Sequence, residues 1–165
     1  MTHQAEFEAF VRSHRGALVA TATSLTAGDR HLAEDLTQNA LVRLYLHWGR
    51  ARSTRVEAYA RRTLVNCFLD HRRRAWVSRE RSFEDLPDSA TESGADDPEL
   101  LAALRALPPR MRAAVVLRHV EDLSVEEVAE VLGCSTGTVK SQTARGLAKL
   151  RAHLLESTTP GGTHA

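Results

Sequence analysis

The chain has 165 residues, of which 42% are hydrophobic, 26% charged and only 5% aromatic, which is typical of a globular protein and excludes a disordered one. It has no apolar run long enough to span a membrane, and its first residues do not have the pattern of a secretory signal. The spacing of Cys67 and Cys134 is not that of a disulfide framework or a zinc knuckle. We therefore expect a cytoplasmic protein without membrane insertion.

The formal net charge of +1 conceals a strong segregation of charge along the chain. Residues 50–82 contain 10 arginines and 3 acidic residues, whereas residues 83–99 contain 7 acidic residues and no basic one. Residues 136–153 form a second basic stretch without acids. Basic segments attract polyanions such as nucleic acid, although a solvated surface joined by an acidic linker is the alternative interpretation.

Helical spacing of apolar residues recurs along the chain and strand alternation does not, which predicts an all-α fold. We expect two small helical domains joined by an acidic flexible linker, with a helix-turn-helix in the second. The predicted boundaries are 1–80 for the first domain, 81–97 for the linker, 98–156 for the second domain and 157–165 for a disordered tail. The predicted helices are 3–25, 30–48, 55–77, 98–106, 109–121, 124–132 and 136–155.

Capping signals mark the starts of several of these helices. Asp29 is placed to cap the second helix after a break at Gly28, and Asp97 precedes a proline at the first position of the fourth. The spacings Thr54-x-x-Glu57 and Ser124-x-x-Glu127 each predict a capping box.

The second predicted helix has apolar residues on two opposite sides. Ala33, Leu36, Ala40, Leu41 and Leu44 form one broad core face. A helix that faces only water on its other side would not need apolar residues there, so that side is typical of a protein-docking surface, with further packing inside the small domain as the alternative. The candidate docking residues are Asp35, Gln38, Asn39, Val42, Tyr45 and Leu46.

The third predicted helix combines an apolar stripe with an arginine-rich face. Arginines hold a nucleic-acid backbone, while amides and aromatic rings hydrogen-bond to or stack on exposed bases, so this face suits single-stranded DNA. Trp48 is included in this set, although a core position is the alternative for both Trp48 and Trp76. The candidate contacts are Trp48, Arg50, Arg52, Arg61, Arg62, Asn66, Arg72 and Arg73.

The strongest local signal lies in residues 125–154, where Ala129, Gly133 and Val139 have the spacing of a helix-turn-helix. The small alanine lets two helices cross closely, the glycine can adopt a left-handed turn, and the valine packs the second helix on the first. Gln142 and Arg145 are candidates for reading base edges, and lysines for phosphate contacts. A hairpin used only for packing is the alternative. The full candidate set is Arg118, Ser135, Thr136, Thr138, Lys140, Ser141, Gln142, Arg145 and Lys149.

Taken together, the three segments resemble the extracytoplasmic-function (group 4) sigma factors of the bacterial sigma-70 family, over about residues 5–153. AEDLTQNALVRLYLHW is similar to the segment that binds core RNA polymerase, with Asp35 and Gln38 as its Asp-x-x-Gln. VEAYARRTLVNCFLDHRRR resembles the segment that melts and reads the −10 promoter element, with Asn66 as its helix asparagine. Residues 104–151 are similar to the domain that reads the −35 element, with Gln142 where arginine is usual.

The resemblance implies a non-enzymatic protein that directs promoter-specific transcription initiation. The partners implied are core RNA polymerase and promoter DNA, and an anti-sigma factor is a further one that the family suggests. No cofactor or metal is expected, since the eight histidines are scattered without ligand spacing. The residues alone leave two alternative functions. The first is a stand-alone helix-turn-helix regulator. The second is a recombinase, which would need a nucleophile or a carboxylate cluster that we do not find in residues 1–80.

Overall fold

The structure, a computed structural model, describes residues 2–82 and 97–158, with side chains for all of these except residues 79–82, 157 and 158. Within these ranges every regular element is helical, which confirms the predicted all-α fold. Residues 83–96 of the predicted linker (81–97) and 159–165 of the predicted tail (157–165) lie outside the described residues, whereas residues 81 and 82 belong to α4 and residues 157 and 158 to α8. The first lobe contains α1 (His3–Leu25), α2 (Arg30–Leu46), the single turn α3 (Trp48–Ala51) and α4 (Val56–Ser82). The second contains α5 (Pro98–Arg105), α6 (Pro109–Val115), a π-helical turn (Val116–Val120), α7 (Val125–Leu132) and α8 (Thr136–Thr158).

A tight corner joins α1 to α2. Ala27 and Gly28 have φ angles of 53° and 92°, and this left-handed pair reverses the chain direction. Asp29 then caps α2 as predicted, since its Oδ1 accepts from the backbone N–H of Leu32 at 3.1 Å. Backbone N–H groups of the corner donate to the carbonyls of Ala22, Thr23 and Ser24, whereas the carbonyl of Leu25 accepts from Arg112 of α6.

Trp48 belongs to the core of the first lobe, and its predicted contact with DNA is wrong. The short helix α3 interrupts the long helix expected over 30–48 and turns the indole inward, where it is 5% exposed. Its ring centroid lies 5.4 Å from that of Phe7 and 5.8 Å from that of Phe10. An aromatic cluster of this kind stabilises the packing of α3 on α1 and excludes the indole from a surface role.

The predicted capping box at the start of α4 is also wrong. The Thr54 hydroxyl donates to the carbonyl of Ala51 at 2.9 Å, which closes the turn after α3. The Glu57 carboxylate lies 3.0 Å from Nε2 of His14, on α1. The Thr54 hydroxyl is therefore used by a local turn and the Glu57 carboxylate by a partner on α1, so neither side chain forms the predicted cap.

The predicted turn of the second lobe is confirmed. Ser124 and Glu127 form a reciprocal capping box at the start of α7, and Gly133 ends that helix with φ 64°. The Ser135 Oγ accepts from the backbone N–H of Thr138 at 3.1 Å, which fixes the start of α8. Val139 is fully buried between the two helices. This geometry holds the first two turns of α8 in a defined orientation on the lobe surface.

The crossing of α6 and α8 depends on Gly146. A β-carbon added at this glycine would lie 2.5 Å from Cγ2 of Val115 and 3.1 Å from Cγ of Met111. These distances are shorter than van der Waals contact, so a glycine is needed for the close approach of the two helices.

The two lobes pack on each other and share one continuous hydrophobic core. Helix α7 packs against α4, and the π-helical turn packs against α1. Arg112 of α6 is 1% exposed, and its guanidinium carbon lies 5.7 Å from the ring centroid of Phe68 on α4. The buried arginine therefore lies at the boundary between the lobes.

Candidate functional surfaces

The outward face of α8 carries the candidates for reading duplex DNA. All of these residues on α8 and at its cap are exposed except Gln142, which is half-buried. The Ser135 hydroxyl caps α8 and also lies 3.0 Å from the hydroxyl of Thr138, so it already has partners within the chain. The basic side chains Lys140, Arg145 and Lys149 extend into solvent from a helix of the length that fits a major groove.

Arg118, predicted to contact DNA, forms a hydrogen bond within the second lobe. It is half-buried, and its Nη1 donates to the carbonyl of Leu123 at 2.5 Å. This hydrogen bond ties the π-helical turn to the chain that leads into α7. The side chain therefore helps to orient the helix-turn-helix, whichever other contact it makes.

The docking candidates on α2 form a single exposed surface. Val42, Tyr45 and Leu46 are 55%, 50% and 71% exposed. Asp35, Gln38 and Asn39 are exposed on the same side of the helix. The Tyr45 ring packs at 5.0 Å from that of Phe7, which holds the phenol in place at the edge of the surface.

The arginine-rich face of α4 is partly organised by ion pairs. Asp70 accepts from Arg73 at 3.0 Å and from Arg43 of α2 at 3.5 Å. Asn66 and Arg62 are exposed, whereas Arg61 and Arg72 are half-buried. Asp70 therefore fixes the position of one arginine of the face and ties the face to α2.

Arg50 and Arg52 are both exposed, and Arg52 also contacts α1. The Arg52 guanidinium donates to both carboxylate oxygens of Glu6, each at 2.7 Å. This hydrogen-bonded charge is the main cause that lowers the pKa of Glu6. Arg52 thus anchors the turn after α3 to the first helix.

Trp76, for which a core position was the alternative, is 61% exposed. It lies with Asn66 and Arg73 in the lining of a cleft of about 960 Å³, whose other side is formed by residues 105–111 and by Gln142 of α8. Sequence reasoning missed this indole as a surface residue. Arg72 and Arg73 were the available signal, since they lie four and three residues before Trp76 and therefore share its side of the helix.

A second depression, of about 420 Å³, lies between the start of α4 and α7. Arg55, Arg61 and Arg62 line one side, and Glu127 and Glu130 line the other. The Ser124 backbone N–H and hydroxyl, and also the positive charges of Arg55 and Arg61, lower the pKa of Glu127. The acidic side of α7 therefore faces the arginines predicted to bind DNA, which the sequence did not indicate.

The described residues contain no group of three or more histidine, cysteine or acidic side chains that could hold a metal ion. Burial raises the pKa of the Cys67 thiol, which keeps this cysteine in its less reactive protonated form. Among the helices in the described ranges, none is long and apolar enough to cross a membrane.

Comparison with known proteins identifies both lobes. The family model for sigma-70 region 2 matches residues 10–77, and the model for sigma-70 region 4 matches residues 98–150. The chain is 41% identical over 160 residues to an RNA polymerase sigma-E factor of Streptomyces coelicolor, across 91% of this chain and 86% of that one. It is 36% identical over 161 residues to the ECF RNA polymerase sigma factor SigE of Mycolicibacterium smegmatis, across 90% and 61% of the respective lengths.

A solved structure agrees with these matches. The sigma factor RpoE of Bartonella quintana, in complex with the anti-sigma factor NepR, superposes with a TM-score of 0.76 at 26% identity, over 91% of this chain and 97% of that one. Since two family models match in the order of the lobes and relatives align over nearly the whole length, the chain belongs to the extracytoplasmic-function sigma factors of the sigma-70 family.

Proposed function

We propose that this sigma factor divides promoter recognition among three surfaces of its own chain. The exposed face of α2 docks the first lobe on core RNA polymerase. The face of α4 holds unpaired bases of the −10 element, and α8 reads the −35 element as duplex. The chain makes and breaks no bond itself, since the polymerase supplies the active site, and it acts in the cytoplasm.

The exposed apolar residues of α2 support the docking role. Val42 and Leu46 are more than half exposed on a helix whose other side already buries Leu36 and Leu44. Apolar side chains surrounded by Asp35 and polar amides match the composition of a protein interface with a polar rim. Burial against a partner would remove this apolar area from water, which favours association.

The α4 face has the chemistry needed to hold a single strand. Arg62 and Arg73 can contact the backbone, Asn66 can hydrogen-bond to a base edge, and the exposed Trp76 offers a ring for stacking. Stacking on an aromatic side chain is worth about 1–3 kcal/mol per base. Binding energy of this size would offset part of the cost of unpairing the −10 element.

The face of α8 suits duplex DNA. Arg145 can form a bidentate pair with guanine, and Gln142 can do so with adenine. The exposed Lys140 and Lys149 can contact phosphates, which set affinity more than sequence preference. The capped start of α8 fixes the backbone from which these side chains extend into solvent.

An anti-sigma factor is a further proposed partner. The solved relative RpoE, which superposes over both lobes, is in complex with the anti-sigma factor NepR. A partner of this class would compete with polymerase or promoter for the surfaces described above.

The observation that carries the proposal is the exposed apolar surface of α2, because a stand-alone helix-turn-helix regulator would not require it. Run-off transcription tests it, with Streptomyces coelicolor core polymerase and a template pool randomised at the −35 and −10 elements. We expect transcripts only when the chain is present, and enrichment of particular bases at both elements. Tight duplex binding by the chain alone, without transcripts, would instead indicate the stand-alone regulator.

A further inference from the structure

We propose that the cleft between the two lobes is a binding site for a free nucleotide that carries at least two phosphates. The cleft of about 960 Å³ is lined by α4 on one side and by residues 105–111 on the other. This volume lies in the range of roughly 300–1,000 Å³ that is typical of small-molecule sites. Trp76, Asn66 and Arg73 also belong to the surface proposed for the −10 strand. Nucleotide binding is measured without DNA, so this proposal and the promoter function can fail separately.

An exposed aromatic ring lines the cleft. Trp76 is 61% exposed, although tryptophan is highly buried on average in folded proteins. Nucleobases stack on exposed aromatic side chains, whichever base they carry. Pro108 and Pro109 line the cleft from the other lobe, so a planar ligand would meet apolar surface in both lobes. The cleft therefore favours a ligand with a planar aromatic group.

Guanidinium groups from both lobes line the same cleft. The lining contains four arginines and one acidic residue, Asp70. Arg73, Arg105 and Arg110 each donate a hydrogen bond within the chain from Nη2, at 3.0, 3.2 and 2.8 Å, which holds the group in place. A guanidinium has five N–H donors in a fixed fork, so each of them can also donate to phosphate oxygens. The excess of positive charge favours a ligand with more than one phosphate.

Two amide side chains can hydrogen-bond to the edge of a base. Asn66 of α4 and Gln142 of α8 both line the cleft. An amide offers a donor and an acceptor side by side, which is the pattern that pairs with N6 and N7 of adenine. An adenine base on a diphosphate therefore matches the amides, the indole and the arginines together, and ADP is the probe for this site.

The side of the cleft in the second lobe has a fixed shape. The ring of Pro108 restricts the backbone before α6, where its φ is −56°. The buried Arg112 donates from Nη2 to the carbonyls of Arg105 and Leu107 at 3.1 and 3.3 Å. These contacts hold the turn between α5 and α6, which forms much of this side. A preformed wall lowers the ordering cost of binding a ligand.

Calorimetric titration of the free full-length chain tests the site with ADP and with its two fragments. We expect saturable binding of one ADP per chain. Adenosine lacks the phosphates and pyrophosphate lacks the base, so each should bind on the order of tenfold more weakly or worse. Equal affinity for ADP and either fragment, or no saturable binding of ADP, would overturn the proposal.

Substitutions at one exposed alanine locate the site. Ala106 lines the cleft, and Ala106→Glu adds a carboxylate that should weaken ADP binding on the order of tenfold by charge repulsion. Ala106→Gln adds a side chain of the same size without the charge, and Ala152→Glu makes the same charge change on the exposed side of α8, outside the lining. Both controls should bind ADP more tightly than Ala106→Glu does. An equal loss in either control would contradict a site for phosphates in this cleft.

Removal of the indole tests the stacking. Trp76→Ala should weaken ADP binding on the order of tenfold and leave pyrophosphate binding unchanged, because only the base stacks. The helical circular dichroism should match that of the wild type, since the side chain is mostly exposed. Wild-type affinity of Trp76→Ala for ADP would place the nucleotide elsewhere and overturn the inference.

Discussion

Arg112 in the second lobe donates a hydrogen bond to the carbonyl of Leu25 in the first, at 3.0 Å, from a position that is 1% exposed. The same guanidinium also donates to the carbonyls of Arg105 and Leu107 at 3.1 and 3.3 Å. One buried side chain therefore closes the α5–α6 turn and joins this turn to α1. The stability of the second lobe and the position of the two lobes are coupled through it.

Replacing Arg112 should destabilise the chain. Arg112→Leu leaves buried carbonyls without this donor, and an unsatisfied buried acceptor costs about 1–3 kcal/mol. We expect the free energy of unfolding in urea to fall by at least this amount. Arg145→Ala, on the exposed face of α8, is the control and should unfold like the wild type. Equal midpoints for the wild type and Arg112→Leu would contradict the role assigned to Arg112.

Two glycine-to-alanine substitutions should have opposite effects on stability. Gly146→Ala places a β-carbon 2.5 Å from Val115 Cγ2, and overpacking of this kind costs about 1–3 kcal/mol. Gly16→Ala lies on α1 with nothing within 4 Å of the added atom, so it should stabilise the helix by about 0.5–1 kcal/mol. Thermal unfolding of both variants measures the difference. A stabilised Gly146→Ala would show that α6 and α8 are not closely packed.

Polymerase binding should depend on the polar rim of the α2 surface. Asp35→Ala with Gln38→Ala should weaken binding to core polymerase on the order of 100-fold, which corresponds to about 1.4 kcal/mol for each side chain. Co-elution and fluorescence titration measure the loss, and the helical circular dichroism should be unchanged. Gln4→Ala with Glu8→Ala removes an amide and an acid from the exposed side of α1 and should bind normally. A loss of helicity in the α2 variant would make these residues structural instead.

Two basic residues on α8 should differ in their effect on sequence preference. Arg145→Ala should cost about 1–3 kcal/mol on the preferred −35 sequence and relax the preference at one base pair. Lys149→Ala should weaken binding equally on all sequences and reduce its salt dependence. Transcription from the randomised template pool measures both effects. An equal loss on every template for Arg145→Ala would reassign that residue to a phosphate.

Stability should also depend on the protonation of His71. Burial, together with the nearby charges of Arg72 and Arg74, lowers the pKa of His71 below 6.5, while Asp29 and Asp35 oppose the shift. As the pH falls through 6.5 the unfolded chain therefore takes up this proton before the folded chain does. The free energy of unfolding should decrease below this pH, and His71→Gln should reduce the decrease. His119→Gln, at an exposed position, should keep the wild-type dependence.

The sequence predicted those features that depend on local signals. The capping box of Ser124 and Glu127, the left-handed Gly133 and the buried Val139 are confirmed, because each depends on residues a few positions apart. The exposure of the α2 surface also followed from helical periodicity, because only the opposite face of α2 packs into the core of the first lobe.

Long-range partners explain the remaining errors. A core position was the alternative for both Trp48 and Trp76 in the sequence. Trp48 packs on Phe7 and Phe10, whereas Trp76 is exposed. Arg112 reads as a surface charge in the sequence, because its acceptor on Leu25 lies 87 positions away. No local pattern indicates such a contact, nor the position of Glu127 opposite the arginines of α4.

The central claim is that this chain opens promoter DNA when it is bound to polymerase. Permanganate reactivity of thymines in the −10 element tests it most directly, on a template selected from the randomised pool. We predict that these thymines react only when the chain, core polymerase and template are all present. Asn66→Ala with Trp76→Ala should reduce the reactivity while leaving polymerase binding intact. Thymines that stay unreactive in the assembled wild-type complex would contradict the account.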